Sequence, residues 1–439
     1  MLETVTVTFP YTNTTSFSLT LARKNLGAVI SPQEASAAVD EDATIAAALD
    51  DPLGKPPLEE AVQPGDRVLI LTDDNTRPTP VRLILPHILE RLQRAGVSEA
   101  RVQILIASGT HRPMTQEEIV AKVGEEVARR FPVTCHRCTD PAALVKVGTS
   151  PEGIEVWLNR AVVDADFVIG IGNVVPHPHV GWAGGAKILY PGVAGAKTVA
   201  AFHLVGADDP TNCLGRDNMP ARRSLESLAD TVGLDFIVDT VLTRNHRLHR
   251  VFCGDHRQAQ MAAQRAAFAV YGVAVSHRYD IVVANSYPAF LEFWQAGKGI
   301  FSADRIINKG GSIILIGPCP EGVGVTHPPQ VDYLAMDPSE LLQCIATGQV
   351  DDPIAAAVCA KVAHVKQRAK VTIVSEGLQE ADVRRMGFAH CDSLTEALAA
   401  ALAEYGQGTK VAVITHGGET VPYVAEEQGG DSHATIQVQ

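Results

Sequence analysis

The chain has 439 residues, of which 46% are hydrophobic and 20% charged, with 36 glycines and 26 prolines. These proportions are typical of a globular protein long enough for two domains, and they exclude a disordered or collagen-like chain. The formal charge of −13 argues against binding to nucleic acid or to an anionic membrane, because both need basic patches. No run of eighteen apolar residues and no signal-peptide pattern is present, so we expect a cytoplasmic protein with no membrane span.

Short apolar runs alternate with helix-like segments along the chain. In the first half we predict strands over 67–72, 101–107 and 166–171, strand-like pieces within 240–251, and helices over 81–95 and 258–269. In the second half we predict strands over 280–285, 311–317, 371–374 and 410–414, and helices over 290–307, 339–346, 354–368 and 393–405. This alternation predicts an α/β fold with largely parallel sheets.

The chain is expected to divide into two α/β domains and a tail. We place the N-terminal domain at 1–275, the C-terminal domain at 276–415 and a polar, glycine-bearing tail at 416–439. The tail is either mobile or docked back on the N-terminal domain.

Three loops of the first half each follow a predicted strand, over 73–78, 108–113 and 173–195. The carboxyl ends of parallel strands are where open α/β sheets bind ligands. In the first loop Arg77 is suited to hold a phosphate or carboxylate, unless the loop is only a solvated turn. In the second loop His111 is either a general acid–base group or a structural histidine.

The third loop is the richest in glycine and contains Lys187. Glycine lets a backbone approach a bound group closely, and a lysine there can contact a phosphate or form a covalent bond. The loop is not a phosphate-binding Walker loop, because Ala186 and Ile188 stand where that pattern needs Gly and Ser or Thr. Beyond it, His203 lies in an apolar helix-like run, as a core residue or as a metal ligand.

In the second half, Gln295 and Lys298 are three residues apart and therefore share one face of the predicted helix. An amide and an ammonium on one face suit a substrate carboxylate. A solvated helix face is the alternative interpretation.

Taken together, these motifs resemble the LarA-type nickel-pincer enzymes, the lactate racemase and 2-hydroxyacid racemase/epimerase superfamily. The matching residues span about 70 to 300 in the order of that family. They are Asp74-Asn-Thr-Arg77-Pro, Ser108-Gly-Thr-His111-Arg, the HxxxGxxGGxK pattern from His177 to Lys187, His203, and Gln295-Ala-Gly-Lys298.

The resemblance implies a nickel-pincer nucleotide, Ni(II)-pyridinium-3,5-bisthiocarboxylic acid mononucleotide, in an active site between the two domains. It implies that Lys187 tethers this cofactor covalently, that His203 is a nickel ligand, and that His111 and His177 form the catalytic acid–base pair. The remaining implied site residues bind cofactor or substrate: Asp74, Asn75, Thr76 and Arg77 for the cofactor, and Arg77, Trp294, Gln295 and Lys298 for the substrate. Separate cofactor-biosynthesis proteins are the implied partners.

The implied reaction inverts C2 of a 2-hydroxy acid. Proton-coupled hydride transfer to the cofactor would give a 2-keto acid intermediate, which receives the hydride back on its other face. Lactate-specific members carry a tryptophan where this chain has Asp352-Pro353-Ile354, and a tyrosine where it has Trp294. We therefore expect a range of 2-hydroxy acids that is not strictly limited to lactate.

Two other interpretations remain open from the sequence. One is a zinc-dependent hydrolase that uses His177 and His179 as a ligand pair, completed by His111 or His203. The other is a non-catalytic homologue that binds the cofactor, in which Lys187 and His203 matter while the catalytic histidines do not.

Overall fold

The structure, a computed structural model, describes residues 3–150 and 152–426. Its strands are β1 (Thr4–Pro10), β2 (Ser16–Ala22), β3 (Leu26–Ile30), β4 (Val68–Thr72), β5 (Val102–Ile106), β6 (Val133–Cys135), β7 (Leu144–Thr149), β8 (Glu155–Asn159), β9 (Phe167–Asn173), β10 (Pro176–His177), β11 (Gly181–Trp182), β12 (Phe236–Leu242), β13 (Leu248–Gly254), β14 (Gly272–Val275), β15 (Tyr279–Asn285), β16 (Ile307–Ile316), β17 (Lys370–Val374), β18 (Ala389–His390), β19 (Val411–Ile414) and β20 (Val421–Val424). Its helices are α1 (Glu41–Asp50), α2 (Leu58–Ala61), α3 (Val81–Arg94), α4 (Gln116–Val123), α5 (Glu125–Arg130), α6 (Arg160–Asp164), α7 (Ala196–Leu204), α8 (Pro220–Val232), α9 (Gln258–Tyr271), α10 (Phe293–Ala296), α11 (Lys298–Asp304), α12 (Gln330–Tyr333), α13 (Pro338–Ala346), α14 (Pro353–Lys366), α15 (Glu380–Arg385) and α16 (Leu394–Tyr405).

The described residues form two compact units. The N-terminal unit comprises 34–206 and 216–270, and the C-terminal unit comprises 3–33, 207–215 and 271–426. This division differs from the expected boundaries at 275 and 415. The first residues join the C-terminal unit because β3 pairs with β19, and β20 of the expected tail pairs with β14 in that same unit. Residues 427–439 of the expected tail lie outside the described residues.

The N-terminal unit is built on a six-stranded sheet in the order β13-β12-β9-β4-β5-β6. All of its pairings are parallel except that of β12 with β13. Strands β4 and β9 are buried along their whole length, as expected for central strands of a parallel sheet covered on both faces. The strand order reverses between β4 and β9, and this is the point at which such sheets bind ligands.

The C-terminal unit has a second six-stranded sheet in the order β18-β17-β16-β15-β19-β3, in which every pairing is parallel. Its order reverses between β15 and β19. The hairpin of β1 and β2 alternates buried Val7 and Phe9 with exposed threonines, and its apolar face packs against the core of this unit.

Both sheets confirm the predicted α/β class with largely parallel strands. The helix predicted over 290–307 is wrong in detail, because the chain forms two short helices, α10 and α11, separated by Gly297. Gly297 and Gly299 lower the helical propensity of this segment, and the amide N–H of Ile300 bonds to the carbonyl of Gly297 in a tighter i→i+3 turn. Within 3–150 and 152–426, no helix is long and apolar enough to cross a membrane.

Candidate active site

The predicted site loops follow β4, β5 and β9, so all three leave the carboxyl edge of the N-terminal sheet beside its point of order reversal. The loops are also joined to one another. The amide N–H of Gly109, after β5, donates to the carbonyl of Gly192 in the loop after β9 at 2.9 Å. The fold therefore brings the three predicted loops together.

The loop after β4 is organised around the Asp74 carboxylate. Its Oδ1 accepts hydrogen bonds from the backbone N–H of Thr76 at 3.0 Å and from the Thr76 hydroxyl at 2.5 Å. Nη1 of Arg77 donates to the same hydroxyl at 2.8 Å. Asn75 is exposed and instead donates to Glu118 of α4 at 2.8 Å, so its amide is directed away from Asp74.

The other oxygen of Asp74 binds His111. Nδ1 of His111 lies 2.6 Å from Oδ2 of Asp74, which is 3% exposed. Burial alone would raise the pKa of this carboxyl, but the charge and hydrogen bond of His111, together with Arg77 and Thr76, outweigh it and hold the pKa well below its ordinary value. Because an ionised carboxylate only accepts, Nδ1 of His111 carries a proton in both charge states, and in the neutral ring the lone pair lies on Nε2.

A buried lysine, Lys122, holds the backbone of this loop in place. Nζ of Lys122, on α4, lies 2.7 Å from Oδ1 of Asp73 and donates to the carbonyl of Arg77 at 2.9 Å. The hydroxyl of Thr79 donates to the other oxygen of Asp73. These contacts fix the backbone that carries Asp74, and the amphipathic pattern of α4 gave no signal that its lysine is buried.

The loop after β9 needs glycine at the positions before Lys187. Gly184 has φ +78, and a Cβ there would lie 2.5 Å from Cγ2 of Val174 and 2.9 Å from Oδ2 of Asp239. Gly185 has φ +60, and its N–H donates to Oδ2 of Asp239 at 2.7 Å. A side chain at either position would clash with neighbouring residues and displace this loop.

Gly184→Ala should therefore lower the free energy of unfolding by on the order of 3 kcal/mol, through the positive φ and the clash together. Gly233→Ala is the matched control, because Gly233 has φ +93 with nothing within 4 Å of its added Cβ. Gly233→Ala should lower the free energy of unfolding by about 1 kcal/mol. Urea unfolding of both variants measures the difference, and equal losses would contradict the steric account.

Lys187 lies in the single turn that follows these glycines and is partly exposed. Burial, and then the positive charges of Arg77 and Arg222, lower the pKa of Lys187 to about 7, although Asp74 and Asp73 act in the opposite direction. A substantial fraction of this amine is therefore neutral near pH 7 and able to act as a nucleophile.

Two buried residues of opposite charge, Arg222 and Asp239, contact the backbone of the same loop. Arg222 of α8 donates to the carbonyls of Trp182 and Gly184, the latter at 3.2 Å, and Asp239 accepts from Gly185. Burial raises the pKa of Asp239, whereas the Gly185 N–H and Arg222 lower it. Sequence reasoning missed this pair, yet one acidic residue in the otherwise apolar strand β12 was a usable signal.

The histidines of the loop after β9 and of α7 point their ring nitrogens at backbone groups. Nδ1 of His177 accepts from the N–H groups of His179 and Val180, at 3.2 and 3.4 Å. Nε2 of His179 donates to the carbonyl of Phe202 at 3.1 Å, and its ring stacks on His203 with centroids 5.3 Å apart. His177 and His179 are thus held by different backbone groups.

This arrangement does not support the zinc-hydrolase interpretation. Nδ1 of His177 and Nε2 of His179 are each engaged by a different backbone group. Among the residues that the structure describes, no three His, Cys, Asp or Glu side chains are grouped to hold a metal ion. A His-x-His motif alone is therefore a weak indication of zinc here.

His203 is oriented by its own helix. Its Nδ1 donates to the carbonyl of Val199 at 2.8 Å, one turn earlier in α7. The lone pair of its neutral ring therefore lies on Nε2, which is the form that binds a metal.

The predicted substrate residues lie in the C-terminal unit, where α10 carries Trp294 and Gln295 and α11 begins at Lys298. Gln295 is buried, whereas Trp294 and Lys298 are partly exposed. Helix α11 packs against β15 and β16, so these residues lie near the carboxyl edge of the second sheet.

Glu419 is a buried acid near the same helix that sequence reasoning missed, because it fell in the expected tail. The Ser302 hydroxyl of α11 donates to the carbonyls of Gly417 and Thr420, at 2.6 and 2.8 Å, and so fixes the turn that carries Glu419. Burial raises the pKa of Glu419 to about 8, although the charge of Lys298 lowers it.

Comparison with known proteins matches both halves of the chain to one family. Residues 11–215 match the family model of the lactate racemase N-terminal domain, and residues 275–421 match that of the lactate racemase C-terminal domain. The lactate racemase of Lactiplantibacillus plantarum is 30% identical over 392 residues, covering 86% of this chain and 90% of that protein.

The lactate racemase of Thermoanaerobacterium thermosaccharolyticum is 26% identical over 385 residues, again with 86% and 90% of the two chains covered. The solved structure of the lactate racemase apoprotein from that organism superposes with a TM-score of 0.85 at 25% identity, covering 95% of this chain and 100% of the other. Both halves of the chain and its fold therefore agree: the protein belongs to the lactate racemase family, a family of isomerases.

Proposed function

We propose that this protein inverts C2 of 2-hydroxy acids with a covalently held nickel-pincer nucleotide, and that it is not strictly specific for lactate. The observation that carries the proposal is the position of Lys187, an amine with a pKa near 7, in a glycine cradle beside the Asp74–His111 pair. Inverting such a carbon by hydride transfer requires a group that exchanges the hydroxyl proton close to a hydride acceptor, and a base beside an amine that can hold a cofactor supports this route.

The side chains present fit such a cofactor. The partly neutral amine of Lys187 can be acylated, Arg77 offers a guanidinium to a phosphate, and Nε2 of His203 offers a lone pair to nickel. When bound, the group supplies a reversible acceptor for the hydride of C2. We assign Asp74 and Thr76 to positioning Arg77 at this site, while Asn75, tied to Glu118, contributes through its backbone position in the loop.

His111 is assigned the base that takes the proton of the substrate hydroxyl. Its lone pair lies on Nε2 because Nδ1–H donates to Asp74. Proton uptake makes an imidazolium, which the buried carboxylate of Asp74 stabilises directly. Loss of this proton together with the hydride of C2 leaves a planar 2-keto acid that can be reduced on either face.

His177 is assigned the corresponding group on the other face of the substrate. Since its Nδ1 accepts two N–H groups, the resting neutral ring carries its proton on Nε2 and donates a hydrogen bond there. To accept or release a proton at Nε2, the ring must carry a proton on Nδ1. The two hydrogen bonds that Nδ1 accepts must then break. At 3.2 and 3.4 Å both bonds are longer than the usual N–H hydrogen bond and are therefore weak.

Gln295 and Lys298 are assigned to the substrate carboxylate, with Arg77 as a further cation and Trp294 as an apolar wall. An ammonium and an amide both donate hydrogen bonds that suit a carboxylate. The partners we infer are the small 2-hydroxy acid itself and the separate proteins that build the cofactor.

The proposal is tested by co-expressing the chain with the cofactor-building enzymes and nickel, then measuring intact mass, nickel content and racemisation of a panel of 2-hydroxy acids. We expect a covalent adduct, one nickel per chain, and turnover of lactate together with acids that have larger C3 substituents. His203→Ala should keep the adduct and lose the nickel, because the tether does not depend on that imidazole. An adduct-free protein that racemises none of the panel would overturn the proposal.

A further inference from the structure

A second histidine–carboxylate pair lies in the C-terminal unit, next to the predicted substrate residue Trp294. Nδ1 of His327 lies 2.6 Å from Oδ2 of Asp352, and His327 is 3% exposed. The imidazole stacks against the indole of Trp294, with ring centroids 4.2 Å apart and planes at 30°. None of the reactions assigned above uses His327 or Asp352.

Asp352 cannot move without disturbing a helix. Its Oδ1 caps α14 by accepting from the N–H groups of Ile354 and Ala355, at 3.1 and 3.0 Å. Burial alone would raise the pKa of Asp352, but the hydrogen bond from His327 and the cap bonds lower it below its ordinary value. The carboxylate is therefore ionised and can only accept the proton that Nδ1 of His327 donates.

Further contacts hold the backbone at the start of α14 and beside the indole. The Tyr333 hydroxyl accepts from the backbone N–H groups of Asp351 and Asp352, at 2.9 and 3.3 Å. A Cβ at Gly324 would lie 3.3 Å from Cβ of Trp294, so the loop before His327 lies directly against this tryptophan. A chain of contacts therefore runs from the start of α14, through a carboxylate and an imidazole, to one face of the indole.

We propose that His327 and Asp352 are positioning residues for Trp294, and that this carboxylate–imidazole–indole stack determines which C3 substituents of the 2-hydroxy acid are accepted. The inference rests on the proposed function, since it takes Trp294 as a wall of the substrate site. An imidazole held by Asp352 prevents the indole from tilting back, so the wall stays where it is when substrate binds. A fixed aromatic wall makes substrates with different C3 substituents bind with different affinity, while the reacting atoms stay the same.

Two substitutions separate the stack from the helix cap. His327→Asn keeps a donor toward Asp352 but removes the ring behind the indole. Asp352→Asn keeps a capping oxygen for α14, because asparagine is as good a cap as aspartate, but it weakens the charge-assisted bond to His327. Asp337→Asn is the matched control, since Asp337 caps α13 in the same unit through the N–H of Ser339 at 2.9 Å.

On cofactor-loaded enzyme, His327→Asn should change the ratio of kcat/KM for phenyllactate over lactate by about tenfold, mostly through KM. Asp352→Asn should change it in the same direction by less, and Asp337→Asn should leave it unchanged. The emission of Trp294, taken as the difference between each protein and its Trp294→Phe form, should shift in the first two variants and not in the control.

An unchanged ratio in folded, active His327→Asn and Asp352→Asn enzymes would overturn this inference and leave the racemase in place. A shifted Trp294 emission with an unchanged ratio would do the same, because the indole would then move without affecting selection. A loaded wild type that turns over no 2-hydroxy acid would instead refute the proposed function, and this inference with it.

Discussion

Lys187→Ala should abolish both the covalent adduct and the racemase activity of the protein co-expressed with the cofactor-building enzymes. The loss follows because the amine at this position has a pKa near 7 and lies where the glycine cradle presents it. A cofactor without its tether must bind through non-covalent contacts alone, and we expect activity to fall by at least about 10³-fold. Intact mass and racemisation of lactate measure the two effects on the same sample.

Lys187 should also lower the free energy of unfolding of the apoprotein. Its pKa is about 7 in the folded chain against an ordinary value of 10.5. Between these values the unfolded chain binds more protons than the folded chain, so burying this amine destabilises the fold fully below pH 7 and progressively less as the pH rises to 10.5. Lys187→Met should therefore raise the free energy of unfolding at pH 7 by on the order of 2 kcal/mol, with a gain that shrinks toward pH 10.

Lys197→Ala is the matched control for both measurements. Lys197 is an exposed lysine on α7, ten residues further along the chain, and its loss should change neither adduct, activity nor stability. Lys187→Arg keeps a positive charge but cannot form the same acylated amine, so it should also lack the adduct. Adduct formation on Lys187→Ala would place the tether elsewhere. If Lys187→Met were as stable as the wild type at all pH values, the lowered pKa of this amine would be contradicted.

In the N-terminal unit, the sequence predicted the loops of the site but not the contacts that hold them in place. Its three loops were predictable because parallel strands bring the residues after them to one edge, and this places Asp74, His111 and Lys187 together whatever the details of the helices. The support beneath them was not predictable. Lys122 sits in an ordinary amphipathic helix, and only the three-dimensional packing shows that its ammonium is buried against Asp73.

The observed division into units differs from the expected boundaries because segments far apart in sequence contact each other. Strand β3 reads as a short apolar run near the N-terminus, but its partner is β19, nearly four hundred residues away. Likewise Glu419 was assigned to a tail because no local pattern links it to the turn held by Ser302. Periodicity reports local structure well and cannot report such pairings.

Asp74→Asn should lower kcat for racemisation by on the order of 10⁴-fold while leaving the adduct on Lys187 intact. The carboxylate fixes the proton of His111 on Nδ1 and stabilises the imidazolium that forms when the base acts. An amide can do neither reliably, since its NH₂ group can instead donate to Nδ1 and force the proton onto Nε2, where no lone pair then remains for substrate. KM should change less than kcat, because Asp74 is linked to the substrate carboxylate only through Thr76 and Arg77.

Asp166→Asn provides the comparison that isolates this effect from loss of an ion pair in general. Asp166 pairs with Arg67 at 2.9 Å in the same unit, on the surface and outside the three loops. Its loss should leave kcat within a factor of about two and change the stability little, because the pair is exposed to solvent. If Asp74→Asn retained near wild-type kcat, or lost activity only together with the adduct, then Asp74 would be a structural or cofactor-binding group and His111 would need another partner to act as the base.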